Sequence, residues 1–395
     1  MTLHSNLTRR RLNVVYDVAY PFVEGGGQKR IFEVAKRLAA RGWSIRWYAF
    51  QTWDGAPIVE AHGITYVGLT GFVPLYTPDG RRSRREALAF GRAVWRHRRL
   101  IRNADVLWCG QWPYFHLPPL LVGTRTRLFV DWWETWHGHW FDYFGQITGF
   151  AGFICERLMA MICSRRGTIV AITPIGTRDV IRAWANPGSV VMIPCGIDFS
   201  KINETPPSKN QADIVYVGRL KNHKNVDHII RAIHLLRVKY GLILHADIVG
   251  GGPEEQALRA LSTELGVDSQ IRFLGVLDDE QKYAHIKSAA LFVHPSTKEG
   301  GGSISLFEAQ ACGTPVLIYA VPHGIDPSYV SEGVTGWRID QVGPAALAAR
   351  IAELVTADEL KHRSREYDCR AAVLSYDWEQ IAESYHKLFS GLPIL

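Results

Sequence analysis

Apolar positions along the chain switch repeatedly between two spacings. Short β-branched runs, apolar at nearly every position, alternate with longer stretches whose apolar residues recur every three to four positions. Alternating strands and crossover helices, and hence parallel sheets, follow from that pattern. The first unit is the clearest. Residues 12–16 read as a strand, Gly25-Gly26-Gly27 as a loop, and residues 28–41 as a helix with Ile31, Phe32, Ala35, Leu38 and Ala39 on one face, closed by Gly42. Further strands are expected at residues 45–50, 106–109, 127–130, 168–172 and 190–193.

The pattern lapses after residue 198. Residues 199–212 carry Pro206, Pro207, Ser208 and Asn210 without an apolar period and read as a linker. A second series then begins. Strands are expected at 214–217, 242–249, 271–273, 290–293 and 316–319, and helices near 226–239, 254–266, 279–288 and 304–312. The expected organisation is a first domain over 1–198, the linker at 199–212, a second domain over 213–375 and a terminal helical segment at 376–395. A chain of 395 residues exceeds one comfortable hydrophobic core, which agrees with two domains. Two doubly wound domains in series imply a cleft, with ligands beyond the carboxyl ends of the strands.

Composition narrows the class. With 47% hydrophobic residues spread along its length, the chain is not of the disordered kind. The six cysteines form no Cys-x-x-Cys pair, and a reduced, cytoplasmic setting is expected. The basic start Arg9-Arg10-Arg11 precedes an apolar run broken by Asp17, which reads as a strand and not a signal peptide. The most apolar stretch, residues 147–163, is interrupted by Glu156 and Arg157, so no membrane span is expected.

Two loops carry chemistry. After the strand ending at Val293 comes His294-Pro295-Ser296-Thr297-Lys298-Glu299-Gly300-Gly301-Gly302-Ser303, then a helix holding Phe307-Glu308-Ala309. Glycines let backbone amides approach an anion, and the helix N-terminus adds positive potential. Glu308 is placed to accept two ribose hydroxyls, and Glu299 to grip sugar hydroxyls. After the strand ending at Val217 comes Gly218-Arg219-Leu220-Lys221-Asn222-His223-Lys224. Arg219 and Lys224 are spaced to converge on a diphosphate, the one as a planar fork and the other as a point charge. The plain alternatives are a solvent-facing turn and a solvated basic loop.

Together these features resemble the retaining family-4 glycosyltransferases of the GT-B fold (glycosyl transferases group 1). Gly218-Arg219 with Lys224, Glu299-Gly300 and Phe307-Glu308-Ala309 match that family's second-domain motifs. Residues 193–198, Val249-Gly250-Gly251-Gly252-Pro253, Gly333-Val334-Thr335-Gly336 and residues 378–385 resemble lesser ones. Eight residues separate Glu299 from Glu308 where the family has seven, and the glycine run is expected to absorb the extra one. The resemblance implies two Rossmann-like domains facing across a cleft. It implies transfer of a sugar, with retention and without metal or cofactor, from a nucleotide diphosphate sugar to a glycan or lipid-linked acceptor. Arg219, Lys224 and Glu299 are then catalytic. Gly26, Gly27, Gly218, Gly300, Gly301, Gly302, Ser303 and Glu308 bind the donor. The alternatives are a nucleotide-sugar epimerase of the same fold and a catalytically inactive nucleotide-sugar-binding protein.

Two further features belong to the first domain. Four tryptophans between Trp132 and Trp140 suggest a sugar-stacking or membrane-interface loop, with Trp133 and His137 as candidate sugar contacts and His139 beside them. Nine arginines fall between Arg81 and Arg102 and concentrate the net charge of +7. Leu88, Trp95 and Ile101 are expected on the buried side of that helix. Its basic face suits an anionic membrane, giving a peripheral location at the inner membrane face, or it is simply solvated. No nucleic-acid module and no metal motif is present in the sequence.

Overall fold

A computed structural model describes residues 10–393, apart from 24, 76, 78–81, 124–125, 138, 300–301, 323, 358 and 361–368. The chain divides into two units, one of residues 1–195 with 378–395 and one of residues 196–377.

The first unit holds, among the described residues, an eight-stranded sheet. Its strands are β1 (Arg11–Val15), β2 (Ser44–Gln51), β3 (Ile58–Ala61), β4 (Ile64–Gly71), β5 (Val106–Gly110), β6 (Arg127–Trp132), β7 (Gly167–Ala171) and β8 (Val190–Met192). Their order is β3-β4-β2-β1-β5-β6-β7-β8, parallel throughout except for the β3–β4 pair. The antiparallel edge hairpin was not anticipated: β3 is short and its exposed Ile58 and Glu60 blur the alternation. Helix Gly26–Ala40 buries Ile31, Phe32, Ala35 and Leu38, and Gly42, at φ 90°, ends it in the left-handed conformation. Helix Trp378–Ser390 belongs to this unit. Its Trp378, Ile381, Tyr385 and Phe389 join the core around Trp47 and Trp108.

The second unit holds, among the described residues, six parallel strands: β9 (Ile214–Val217), β10 (Ala246–Val249), β11 (Ile271–Gly275), β12 (Leu291–His294), β13 (Val316–Tyr319) and β14 (Gly336–Ile339). Their order is β11-β10-β9-β12-β13-β14. Where the sequence suggests a linker at 199–212, the structure has helix Phe199–Glu204, capped by Asp198, with Phe199 and Ile202 buried in this unit's core. Six residues are too few to display a helical period.

In both sheets the strand order reverses once, between β1 and β5 and between β9 and β12. The crevice at such a reversal is where doubly wound sheets bind ligands.

Candidate functional site

The reversal in the second unit brings together the two loops singled out by sequence. The loop after β12 is tied to the loop after β9: Thr297 N and Ser296 Oγ both donate to His223 O, at 3.1 and 3.0 Å. Asn225, left-handed at φ 50°, donates through Nδ2 to Pro295 O at 2.9 Å. Glycine is needed here for close approach. A Cβ on Gly218 would lie 2.6 Å from the Tyr216 hydroxyl, and one on Gly250, at φ 127°, would overlap Gly218 O. The 218–220 segment is thereby zipped to the turn after β10, with Gly218 N to Val249 O at 3.0 Å and Leu220 N to Gly251 O at 2.9 Å.

Cations gather on this frame. Arg219 is exposed, and its guanidinium makes no hydrogen bond or ion pair among the described residues. Lys224 is buried and pairs with Glu299. Burial, Arg219 and Lys224 together push the Lys221 ammonium below its ordinary range, and His223 is lowered by burial and then by Lys224. Such mutual repulsion marks a place where an anion is favourable. Burial works against the Glu299 charge, yet His294 and Lys224 hold its carboxyl well below the usual carboxylate range. His294 Nε2 lies 3.3 Å from Glu299 Oε1, and its ring, fully buried, stacks near Tyr216 and Phe292.

Glu308 is buried on helix Ile304–Ala311. Its Oε1 accepts from Lys282 Nζ at 2.8 Å and Tyr283 Oη at 3.2 Å, and Lys282 also reaches Asp279 at 2.9 Å. Despite burial, Glu308 and Asp279 raise the Lys282 ammonium above its ordinary value, so it stays charged. Glu308 Oε2 takes no hydrogen bond among the described residues. At the helix start Ser303 makes no capping hydrogen bond, and its hydroxyl lies 2.9 Å from that of Ser305. Gly302 N points to Glu299 O at 3.4 Å. Gly300 and Gly301 lie outside the described residues.

Sequence reasoning passed over His294, Lys282 and Tyr283. His294 has a legible signal, a titratable residue ending a buried strand within the motif itself. Lys282 and Tyr283 have none, because helix Asp279–Ser288 meets Glu308 only through the fold.

In the first unit, Gly26 opens helix Gly26–Ala40 behind Gly25, with no side-chain cap. A Cβ on Gly27 would lie 2.7 Å from the Tyr16 hydroxyl and 3.3 Å from the Trp133 ring, so Trp133 and the glycine loop form one surface. Gln111 fixes that ring's position: its Oε1 accepts from Trp133 N and Glu134 N, and its Nε2 donates to Glu134 O. Trp133 Nε1 is buried without a hydrogen-bond partner among the described residues. His137 instead turns to Asp179, at 3.7 Å, and His139 to Asp142, at 3.5 Å. The tryptophan loop is not a surface array. Trp132 and Trp140 are buried, and Trp136 stacks inward on Trp112 and Trp140, because aromatic faces there find other rings to cover them.

The arginine helix, Arg84–Ile101, also differs from expectation. Leu88 is 60% and Trp95 51% exposed, while Ala87, Phe90, Gly91, Val94 and Ile101 form the buried side. The small residues Ala87 and Gly91 let the helix approach closely, a signal easily missed beside larger apolar ones. Arg84, Arg85, Arg92, Arg96 and Arg99 are exposed, whereas Arg98 and Arg102 fold back on Trp95 O and Pro119 O. Arg82 leaves the basic face altogether and pairs with buried Asp17 and Glu86. Arg81 lies outside the described residues.

The model of the family Glycosyl transferases group 1 matches residues 198–369, and that of Glycosyltransferase Family 4 matches residues 24–201. A D-inositol 3-phosphate glycosyltransferase of Corynebacterium jeikeium (strain K411) is 29% identical over 261 residues, 61% of this chain and 60% of the relative. The chain thus spans about three-fifths of that relative's length. A GDP-mannose-dependent alpha-(1-6)-phosphatidylinositol monomannoside mannosyltransferase of Mycolicibacterium smegmatis is 29% identical over 280 residues, 66% of this chain and 70% of the relative. The crystal structure of Anabaena Alr3699/HepE in complex with UDP superposes with a TM-score of 0.73 at 18% identity, covering 97% of this chain and all of the other. That likeness is one of fold.

Proposed function

We propose, for a chain that belongs to the Family 4 and group 1 glycosyltransferases of GT-B fold, that it transfers a sugar from a nucleotide diphosphate sugar to a glycan or lipid-linked acceptor with retention of configuration. The observation that carries the reading is the cation set of one loop at the β9–β12 reversal, Arg219 without a side-chain partner among the described residues and Lys224 on Glu299, beside the uncapped helix start at Ser303. A diphosphate is the chemistry that set would hold. The ribose is assigned to Glu308 through its unused Oε2. Glu299 is assigned to sugar hydroxyls and His294 to holding Glu299 ionised. In the first domain, Gly26 and Gly27 are assigned to backbone approach to an anion and Trp133 to sugar contact. The Mycolicibacterium smegmatis relative is described as GDP-mannose-dependent, which supports a nucleotide donor.

In the transfer, the bond between the sugar's anomeric carbon and the diphosphate oxygen breaks as a bond to the acceptor oxygen forms on the same face. The acceptor proton passes to the departing phosphate oxygen. Negative charge grows on that leaving group, and Arg219, Lys224 and the amides near Gly302 and Ser303 stabilise it, with no metal step. The exposed arginines of helix Arg84–Ile101 support a peripheral position on an anionic membrane, where a lipid-linked acceptor would be reached.

A panel of nucleotide sugars tests the reading. Slow release of one nucleotide diphosphate, raised by an acceptor, with product of the donor's anomeric configuration by NMR, is the expected result. A new sugar nucleotide would mean an epimerase, and binding without turnover an inactive binder.

A further inference from the structure

Helix Gln146–Arg166 is inside out for a surface helix. Its mid-helix charges, Glu156 and Arg157, are both buried. Glu156 accepts from Trp136 N at 2.9 Å, and from Trp140 Nε1 and Tyr114 Oη, each at 3.1 Å. Arg157 places its guanidinium 3.3 Å from the Phe153 ring centroid. The face opposite Glu156 is apolar: Ile147 is 90%, Phe150 57% and Leu158 38% exposed, with Ala151, Ile154 and Met161 in the same row. Steps of three and four residues make these one stripe, about 21 Å long at 1.5 Å per residue. Arg157, three residues from Ile154 and four from Met161, flanks the stripe but is largely buried with its guanidinium turned over Phe153, and the exposed Arg165 and Arg166 close that end. At the other end Arg84 of the arginine helix packs over Phe144 at 5.5 Å and reaches Thr148 Oγ1 at 3.5 Å.

By length and composition this helix is long and apolar enough to cross a membrane. Its inner face, however, packs on β6 and β7 and is pinned through Glu156. A helix so anchored can only lie along a membrane. We infer that the stripe Ile147–Phe150–Ile154–Leu158 inserts into the acyl boundary of an anionic bilayer, with the arginines at both ends on lipid headgroups. A second copy of the chain fits worse, since pairing two stripes would bring these like-charged ends together. The inference rests on the anionic-membrane reading above and adds an apolar, salt-resistant component to it.

The test uses the full chain with phosphatidylcholine vesicles, with or without 30% phosphatidylglycerol as probe lipid. An environment-sensitive fluorophore on Phe150→Cys, in a Cys155→Ser background, should shift to the blue on anionic vesicles. The same label on Val238→Cys, exposed in the second unit, should not. Phe150→Asp with Leu158→Asp should weaken sedimentation about tenfold per residue while leaving the melting temperature and nucleotide diphosphate release unchanged. Arg92, Arg96 and Arg99 to Gln should instead weaken only the salt-sensitive part. Co-sedimentation with no blue shift at position 150 and no effect of the Asp pair overturns insertion but leaves charge attraction standing. Equal recovery in the supernatant with both lipids overturns both. A wild-type dimer by sedimentation velocity that the Asp pair dissolves, without vesicle binding, assigns the stripe to a second copy and also overturns it.

Discussion

Lys224→Ala separates two roles that one side chain holds. Removing the ammonium strips buried Glu299 of its nearest countercharge, and breaking a buried ion pair costs about 3–5 kcal/mol. His294, 3.3 Å from the same carboxylate oxygen, remains, so the lower end of that range is expected. It should appear as a fall of several degrees in the second unit's melting temperature. Turnover should fall by about 100- to 1000-fold, as when one donor to a developing anion is lost, with the donor Michaelis constant moving less. Adding Glu299→Gln removes the stranded charge and should restore most of the melting temperature but none of the turnover. Arg219→Ala is the counterpart. Its guanidinium is exposed and bonds to no other side chain among the described residues, so its loss should leave melting unchanged and still cost turnover by a similar factor. Melting curves and nucleotide diphosphate release decide the matter. Normal turnover in Arg219→Ala, or recovery of turnover in Lys224→Ala/Glu299→Gln, would refute the diphosphate assignment.

Glu308→Ala should weaken nucleotide binding by about 1.5–3 kcal/mol, roughly 10- to 150-fold by calorimetry, and an unchanged affinity in a folded variant contradicts the ribose assignment. Burial first, and Asp17 second, push the Glu86 carboxyl up from 4.5 to about 8, with Arg82 only partly offsetting them. The folded state then holds that proton more tightly than the unfolded chain, so stability falls as pH rises from about 4.5 to 8. Glu86→Gln should therefore raise the stability at pH 8 by on the order of a few kcal/mol, read as a higher melting temperature, and change nothing at pH 4; a gain that is flat with pH speaks against the shift. Activity should survive EDTA, and a steep loss restored by a divalent cation would contradict a transfer run on protein cations alone.

The second unit was the more legible half. β9 and helix Ile304–Ala311 lie within a residue of where their apolar runs put them, and a glycine-rich loop between strand and helix has few other uses. The parts that escaped are those built by contacts distant in sequence. Nothing local marks Lys282 and Tyr283 as partners of Glu308, or Gln111 as the clamp on Trp133. The apolar run over 242–249 suggests one strand, yet only Ala246–Val249 pairs, because pairing depends on β9 and β11 alongside. The arginine helix misled in another way. Size points Leu88 and Trp95 to the core, yet the packed face belongs to Ala87, Gly91 and Val94, small enough to let the helix approach.

The return of helix Trp378–Ser390 to the first unit has a consequence for biogenesis. Residues 196–377 form one continuous stretch, so that unit can close its core while the ribosome is still adding the tail. The first unit cannot. Buried Asp131 needs Tyr385, whose hydroxyl reaches it at 2.7 Å and also accepts from Arg30 at 2.7 Å. Until helix Trp378–Ser390 emerges, Arg30 and Asp131 lack that partner and Trp108 lacks its aromatic cover. During synthesis, the unit begun first is therefore completed after the unit that follows it. A nascent chain halted at residue 377 should show a protease-resistant core in the second unit and cleavage within the first, with protection of the first unit appearing only once residues 378–390 have emerged.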